Sequence, residues 1–110
     1  MKKEYRIKKN QEFQSIIDAG KKKSNDSFVA YYQPKKEDQA RVGITLSKKM
    51  GNAVERNRFK RQVRMMCQEI LDFQNYPNDI ILIVRKGYKN NRYSHNKNNL
   101  EKLLLEDTIK

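Results

Sequence analysis

The feature that most constrains this chain is a strongly basic stretch, residues 51–67, that still has the periodicity of a helix. Asn52 has the residue type of a helix cap, and Glu55, three residues later, can complete a capping box. At about 100° per residue, one arc of this helix collects Phe59, Val63, Met66, Cys67 and Ile70. The opposite arc collects Asn57, Lys60, Arg61, Arg64 and Gln68. The pattern predicts a helix with one face in a core and a cationic face left for a partner.

An alternative interpretation of the cationic face is an ordinary solvated surface. Such surfaces usually mix charges of both signs, because opposite charges at i,i+4 spacing stabilise a helix. Here Glu55 is the only acid from residue 51 to residue 68, and the capping box already uses it. The like charges of Lys60, Arg61 and Arg64 destabilise an isolated helix, so an anionic partner explains them better.

The charge of the whole chain supports the same interpretation. With 25 Lys and Arg against 13 Asp and Glu, the formal net charge is +12 over 110 residues. A balance this basic is typical of proteins that bind nucleic acid or an anionic membrane. The membrane alternative is weak, because the longest apolar run, residues 80–84, is far shorter than the ~20 residues of a membrane span. The lysines near the amino terminus have no apolar stretch behind them, so we expect no secretory signal.

Cysteine and histidine are too scarce for several kinds of site. Cys67 is the only cysteine, so a disulfide framework and a thiolate zinc site are both excluded. It lies on the apolar arc, where a buried, inert thiol is expected. His95 is the only histidine, and its polar surroundings place it at the surface. We therefore predict no catalytic residue and no metal-ligand set in the protein, and a reducing, cytoplasmic location.

Shorter elements are predicted before the basic helix. A basic arm, residues 2–9, leads to a helix that we expect to be capped by Asn10 and to end near Ala19. Residues 21–27 are expected to form a loop, with an extended pairing as the alternative.

Three strands are predicted from side-chain type and alternation. Residues 27–33 are rich in aromatic and branched side chains, and residues 41–47 alternate between apolar and polar ones. We expect these two strands to pair antiparallel. Residues 80–84 form a continuous apolar run, which is typical of a strand covered on both faces. Since a helix separates this run from the 41–47 strand, those two should lie parallel.

The carboxyl-terminal third is predicted with less regular structure. The basic helix should end near residues 73–75, and residues 88–99 are so rich in Asn and Lys that we expect mostly loop. A last helix is predicted from about Asn96 to Thr108, with its leucines buried. The fold class is therefore α+β, one domain of residues 1–110 with a mixed sheet packed against helices.

Several motifs resemble the protein subunit of bacterial ribonuclease P, over essentially the whole chain. They are Tyr5-Arg6-Ile7-Lys8-Lys9-Asn10 with Phe13, Phe28-Val29 with Tyr31, Arg41-Val42-Gly43, Ser47-Lys48-Lys49, Gly51-Asn52-Ala53-Val54, and Arg56-Asn57-Arg58 followed by Lys60-Arg61 and Arg64. Arg-Asn-Arg alone would be a weak signal, because any basic helix can contain it. Ser-Lys-Lys-x-Gly-Asn-Ala-Val followed, after Glu55, by Arg-Asn-Arg-x-Lys-Arg in a chain of this size is highly specific.

The resemblance implies a sheet of about four strands with a left-handed parallel crossover, against the general right-handed rule. It implies that a catalytic RNA removes the 5′ leader from precursor tRNA with the help of Mg²⁺. The Mg²⁺ ions would be held mainly by the RNA and by substrate phosphates. The protein would bind the leader and stabilise the complex of RNA and substrate. The expected partners are the ribonuclease P catalytic RNA and the precursor tRNA leader, with one monomeric protein per RNA.

The resemblance also implies roles for particular residues. RNA contacts would be made by Lys48, Lys49, Arg56, Asn57, Arg58, Lys60, Arg61 and Arg64. Phe13, Ile17 and Tyr31 would line the leader cleft, where an aromatic ring can stack on an unpaired base for about 1–3 kcal/mol. Ile17 stands where the family often has an aromatic residue. Pattern alone would place Phe13 in a core, since it lies on the apolar face of its helix.

Two other functional classes remain as alternatives. A small protein nuclease would need carboxylates spaced to hold a metal, but the 13 acids mostly stand singly or beside lysines. A ribosomal or general RNA-binding module would share the charge and the fold class. Assays of precursor tRNA cleavage with RNA alone, protein alone and both together distinguish the three.

Overall fold

A computed structural model of the protein describes residues 1–105. Its helices and strands are α1 (Asn10–Asp18), β1 (Lys22–Ser24), β2 (Phe28–Pro34), β3 (Val42–Thr45), α2 (Ala53–Ile70), β4 (Asn78–Val84) and α3 (Tyr93–Leu105). Three short 3-10 helices span Lys3–Tyr5, Lys48–Met50 and Lys86–Asn90. The predicted α+β class is confirmed. No helix within residues 1–105 has the length and apolarity that crossing a membrane requires.

The four strands form one mixed sheet in the order β1-β2-β4-β3. β4 pairs antiparallel with β2 and parallel with β3, and Ile81 lies between Tyr31 and Gly43 in the register. The predicted parallel unit of strand, basic helix and strand is therefore confirmed, while its handedness stays a prediction. β1 pairs antiparallel with β2, which is the extended pairing left open for residues 21–27.

The predicted antiparallel pairing of β2 with β3 is wrong, because β4 lies between them. Both faces of β4 are covered: Ile80, Leu82 and Val84 are buried on one side of the sheet, and Ile81 on the other. A strand with apolar side chains on both faces is most stable in the interior of a sheet, where both faces exclude water. The apolar run of β4 therefore takes the central position between the two more amphipathic strands.

A core lies on each face of the sheet. The larger core, under α2 and α3, includes Phe28 and Ala30 from β2 and is packed against Tyr32. The smaller core, under α1, contains Ile7, Ile16 and Ile81, with Phe13, Ile17, Tyr31 and Ile83 packed against them. The pleat of β2 thus separates Tyr31 from Tyr32 as the alternation predicted.

α2 begins and packs as its sequence predicts. The side chain of Asn52 accepts a hydrogen bond from the Glu55 backbone N–H at 2.9 Å, and the Glu55 carboxylate accepts one from the Asn52 N–H at 3.1 Å. This is the predicted capping box. The buried residues of the helix are Phe59, Val63, Met66 and Cys67. Burial raises the pKa of the Cys67 thiol to about 12, so this thiol stays protonated at neutral pH.

Two helix boundaries differ from the prediction. α2 ends at Ile70 rather than near residues 73–75, because Leu71 takes an extended conformation and is buried in the larger core. Lys9, not Asn10, occupies the cap position of α1, and Asn10 is the first helical residue. The burial of Leu71 thus decides where α2 ends.

The carboxyl-terminal segment packs more closely than its polar composition predicted. α3 begins at Tyr93 rather than Asn96, and the predicted end at Thr108 lies outside the described residues. Asn96 is buried, and its side chain accepts a hydrogen bond from the Ser27 hydroxyl at 2.8 Å and donates one to the Tyr88 carbonyl at 3.0 Å. Because these bonds satisfy the polar atoms of its side chain, burial of Asn96 is tolerated here.

The basic amino-terminal arm is held along the edge of the sheet. Its two predicted apolar anchors both pack: Ile7 is buried, and the Tyr5 ring stacks on Phe73 with centroids 4.3 Å apart. The Ile7 N–H donates to the Val42 carbonyl at 3.0 Å, so the arm runs beside β3. This position brings Arg6 close to the face of α2.

Candidate nucleic-acid interface

An open cleft of about 570 Å³ lies where the amino-terminal arm, α1, β3 and α2 meet. It is lined by Arg6, Ile7, Lys8, Asn10, Phe13, Gln14, Val42, Ile44, Thr45, Lys60 and Arg64. None of these lining residues is acidic. The cleft therefore combines one aromatic ring with four cationic side chains, a combination that suits a single-stranded polyanion.

Phe13 occupies the cleft because Gly43 leaves room for its ring. A Cβ placed on Gly43 would lie 2.6 Å from Phe13 Cζ and 2.8 Å from Ile81 Cδ1. Carbon atoms that are not bonded to each other do not approach this closely. The ring therefore sits directly over the backbone of β3. Phe13 is at once part of the smaller core and a lining residue of the cleft, so the core and cleft interpretations are compatible.

We expect Gly43→Ala to destabilise the fold by about 1–3 kcal/mol, because the added methyl overpacks the contact with Phe13. Urea unfolding followed by circular dichroism measures the loss. Combining Gly43→Ala with Phe13→Leu should recover part of it, since the smaller side chain can move away. Strict additivity of the two substitutions would contradict a direct contact between them.

Two arginines converge in the cleft without a carboxylate partner among residues 1–105. Burial and the neighbouring charge of Arg6 both lower the pKa of Arg64. The Arg6 guanidinium donates to the Met1 carbonyl at 3.0 Å, but its Nε is buried without a hydrogen-bond partner. The like-charge repulsion between Arg6 and Arg64 is unfavourable, and an anion bound between the two groups relieves it. This part of the cleft is therefore suited to a phosphate.

The six polar residues predicted to contact RNA on α2 form a cationic strip, which we define as Arg56, Asn57, Arg58, Lys60, Arg61 and Arg64. Within the described residues, the carboxylates form ion pairs with Arg41 and Lys97 and with none of this strip. Asn57, Arg58 and Arg61 are exposed. Arg56 is partly engaged, because its Nε donates to the Gly51 carbonyl at 3.2 Å. The charge of the strip thus remains available to a partner.

The other predicted site residues occupy two places. Lys48 and Lys49 are exposed in the 3-10 helix that leads into α2. Ile17 and Tyr31 pack against the smaller core together with Phe13, but of these three only Phe13 lines the cleft. The structure therefore brings Phe13 together with Lys60 and Arg64, and leaves Ile17 and Tyr31 packed against the smaller core outside the cleft.

Arg6 and Thr45 line the cleft but were not selected from the sequence. Arg6 belongs to the basic arm, whose charge alone does not distinguish one of its cations from the next. The polar position of Thr45 between apolar neighbours in β3 was a signal that its side chain faces away from the larger core.

An ion triad around Arg41 attaches α1 to the sheet. The Arg41 guanidinium lies 2.9 Å from the Glu12 carboxylate and 3.2 Å from the Asp79 carboxylate, and Asp79 also accepts the Arg41 backbone N–H at 3.0 Å. Burial by itself would lower the pKa of Arg41, but the two carboxylates outweigh it and raise that pKa. Because Glu12 precedes Phe13, the triad also helps to place the aromatic ring of the cleft.

Within residues 1–105, no group of three or more His, Cys, Asp or Glu side chains could hold a metal ion. The carboxylates of Glu12 and Asp79 are paired with Arg41.

Comparison with known proteins gives one consistent family. The sequence model of the ribonuclease P family matches residues 1–107. A ribonuclease P protein component of Bacillus cereus is 44% identical over 101 residues, which cover 91% of this chain and 88% of that protein. A ribonuclease P protein component of Bacillus anthracis is 43% identical over 101 residues, which cover 91% of this chain and 85% of that protein.

Solved structures show the same similarity in three dimensions. A Staphylococcus aureus RNase P protein mutant with defective mRNA degradation activity is 39% identical, with a TM-score of 0.84 over 96% of this chain and 90% of that chain. The RNase P protein from Thermotoga maritima is 27% identical, with a TM-score of 0.79 over 92% of this chain and 96% of that chain. The similarity therefore covers nearly the whole chain in both sequence and fold.

Proposed function

The chain belongs to the ribonuclease P protein family, and on that premise we propose that it binds the 5′ leader of precursor tRNA and stabilises the complex of this substrate with the catalytic RNA. The observation that carries the proposal is the cleft that Phe13 lines together with Arg6 and Arg64, neither of which has a carboxylate partner within residues 1–105. An unpaired RNA strand presents what these groups bind, a flat base and a phosphate.

The leader would lie in the cleft with a base against Phe13 and phosphates near Lys60 and Arg64. Stacking on an aromatic ring tolerates every base, so this arrangement suits a leader of variable sequence. The neighbouring residues Ile17 and Tyr31 would widen the apolar surface next to the ring. The phosphate contacts would position the strand without reading its sequence.

The cationic strip of α2, with Lys48 and Lys49, would contact the catalytic RNA or the phosphates near the cleavage site. This assignment is supported by the absence of carboxylate partners for the strip within the described residues. One RNA-binding domain with one such strip suits a monomeric protein in a 1:1 complex with the RNA.

Hydrolysis of the phosphodiester would be carried by the catalytic RNA, with Mg²⁺ held mainly by RNA and substrate phosphates. The described residues offer no set of three ligands for a metal ion, so this chain would act on the phosphate charge instead. Its cations would lower the repulsion between substrate and RNA and so reduce the Mg²⁺ concentration needed for cleavage.

Reconstitution with purified components tests the proposal. We expect the RNA alone to cleave precursor tRNA only at high Mg²⁺, and the mixture of RNA and protein to cleave it at lower Mg²⁺. The protein alone should leave precursor tRNA intact, whereas cleavage by the protein alone would support the nuclease alternative. An unstructured mRNA belongs in the protein-alone reaction, because the name of the Staphylococcus aureus relative refers to mRNA degradation activity.

Salt dependence tests the contribution of the cationic strip. We expect Arg61→Ala and Arg64→Ala each to weaken RNA binding and to reduce the slope of log K against log salt by about 1 at most, because each removes one phosphate contact. Lys36→Ala, an exposed lysine in the connection between β2 and β3, is the matched control. An unchanged slope in both arginine variants would remove this face of α2 from the interface.

A further inference from the structure

A pocket of about 420 Å³ lies between the amino-terminal arm and the carboxyl-terminal part of α2. It is lined by Met1, Lys2, Tyr5, Gln68 and Phe73, and we call it the aromatic pocket. The rings of Tyr5 and Phe73 are parallel, with centroids 4.3 Å apart and an interplanar angle of 5°. The Gln74 side-chain amide donates to the Tyr5 hydroxyl oxygen at 3.3 Å. The pocket therefore contains a fixed pair of stacked rings in its wall.

The aromatic pocket adjoins the cationic strip of α2. Gln68 lies on the same arc of the helix as Arg61 and Arg64, one turn beyond Arg64. Its side-chain amide forms no hydrogen bond within residues 1–105, so it is available to a ligand. Met65 is 58% exposed and stands three residues before Gln68, which makes the two side chains neighbours on the helix surface. The strip thus passes from cations to apolar and aromatic groups towards the carboxyl end of α2.

The aromatic pocket and the leader cleft belong to opposite faces of the sheet. Tyr5 and Phe73 pack in the larger core, whereas Phe13 packs against the smaller one. The Arg6 guanidinium, which lines the cleft, donates to the Met1 carbonyl at 3.0 Å, so the arm forms the boundary between the two sites. A strand that stacks on Phe13 therefore leaves the aromatic pocket available to a different part of an RNA.

The acids beside the two rings leave the surroundings of the pocket cationic. Asp72 precedes Phe73, and its carboxylate accepts a hydrogen bond from the Asn75 side-chain amide at 2.6 Å. Glu4 precedes Tyr5 and is the only acid of the basic arm, which carries five Lys and Arg side chains. The charge around the pocket is therefore suited to an anionic partner.

This charge favours a polyanion over a second copy of the chain. Each copy has a formal net charge of +12, so two copies that met at this face would bring their cationic strips together. An RNA strand brings phosphates to the cations and a flat base to the stacked rings. We propose that the aromatic pocket receives one unpaired base of the catalytic RNA, while the phosphates next to this base bind Arg61 and Arg64. The proposal rests on the function proposed above.

A single tryptophan tests the stacking of a base in the pocket. The chain contains no tryptophan, so Tyr5→Trp places one indole there and keeps a flat ring beside Phe73. We expect the catalytic RNA alone to quench the fluorescence of this variant, because a stacked base quenches an indole. Tyr93→Trp, at an exposed position of α3, is the matched control and should keep its fluorescence.

Three results of the fluorescence experiment would overturn the proposal. The first is that the catalytic RNA does not quench the Tyr5→Trp variant. The second is equal quenching by a single-stranded leader oligonucleotide or by mature tRNA, which would assign the pocket to the substrate. The third is a change of emission with protein concentration in the absence of RNA, which would assign the pocket to a second copy of the chain.

Affinity for the catalytic RNA separates a base contact from a phosphate contact. Tyr5→Leu keeps an apolar side chain but loses the flat ring, so we expect it to weaken binding roughly fivefold or more. It removes no charge, so the slope of log K against log salt should stay the same, whereas Arg64→Ala should reduce that slope by up to about 1. Tyr5→Phe, which keeps the stacked pair, should restore most of the affinity.

The same series distinguishes failure of the pocket from failure of the proposed function. If Arg64→Ala weakens binding of the catalytic RNA while Tyr5→Leu does not, only the aromatic pocket fails. If neither variant weakens it, the contact of the cationic strip with the catalytic RNA fails as well. A reduced slope in Tyr5→Leu would show that the arm has lost cationic contacts, which would make Tyr5 a structural anchor and overturn its contact with a base.

Discussion

Phe13→Ala is expected to weaken binding of leader-bearing precursor tRNA by about 1–3 kcal/mol, or roughly 5- to 150-fold in Kd, and to leave binding of mature tRNA nearly unchanged. The physical reason is that the ring lies over Gly43 inside the cleft, where a base of the leader would stack on it. The measurement is the Kd of the holoenzyme for the two RNAs at one salt and Mg²⁺ concentration.

Phe13→Leu is the matched control for this experiment. Leucine keeps apolar volume in the smaller core but has no flat aromatic face, so it should preserve stability better than alanine while still losing stacking. Urea unfolding of both variants separates the two effects. An equal loss of affinity for precursor and mature tRNA would return Phe13 to a purely structural role.

Asp79→Ala is expected to destabilise the protein by about 3–5 kcal/mol, because it leaves the largely buried Arg41 without its fully buried partner. Asp79 accepts hydrogen bonds from both the guanidinium and the backbone N–H of Arg41, so two donors lose their acceptor together. Urea unfolding measures the loss of stability. An m value equal to that of the wild type would show that the substitution acts on the folded protein and not on the compactness of the unfolded state.

Glu12→Gln is the comparison for Asp79→Ala, since Glu12 is the more exposed carboxylate of the same triad. Solvent screens this pair, and its loss should lower stability by at most about 1 kcal/mol. The order of the two effects is the informative result. If Glu12→Gln destabilised the protein as much as Asp79→Ala, burial would not be what makes the Asp79 contact strong.

The start and the buried face of the basic helix could be predicted because their determinants are local. Asn52 and Glu55 are three residues apart and form their capping box within one turn. Phe59, Val63 and Met66 share a face at helical spacing and are buried as a set. Where spacing along the chain sets which groups meet, sequence patterns are sufficient.

The cleft could not be assembled from the sequence, because its parts are far apart in it. Arg6 and Arg64 come close enough for their charges to interact only in the folded protein. The amino-terminal arm must pair with β3, and α2 must pack against the sheet. Phe13 lies over Gly43 only because α1 covers that part of the sheet. The Arg41 triad likewise joins three segments that are distant in the sequence. In the sequence, each of its three charged residues resembles an ordinary surface residue.

By itself, the sequence determined the fold class, the amphipathic basic helix, its cap, and the excess of cations that selects an anionic partner. Tertiary structure decided that β4 separates β2 from β3, that the Asn-rich segment packs, and which cations share a cleft with an aromatic ring. The physical reason is that helix periodicity and capping act over one or two turns, whereas strand order and side-chain convergence depend on which apolar surfaces exclude water together.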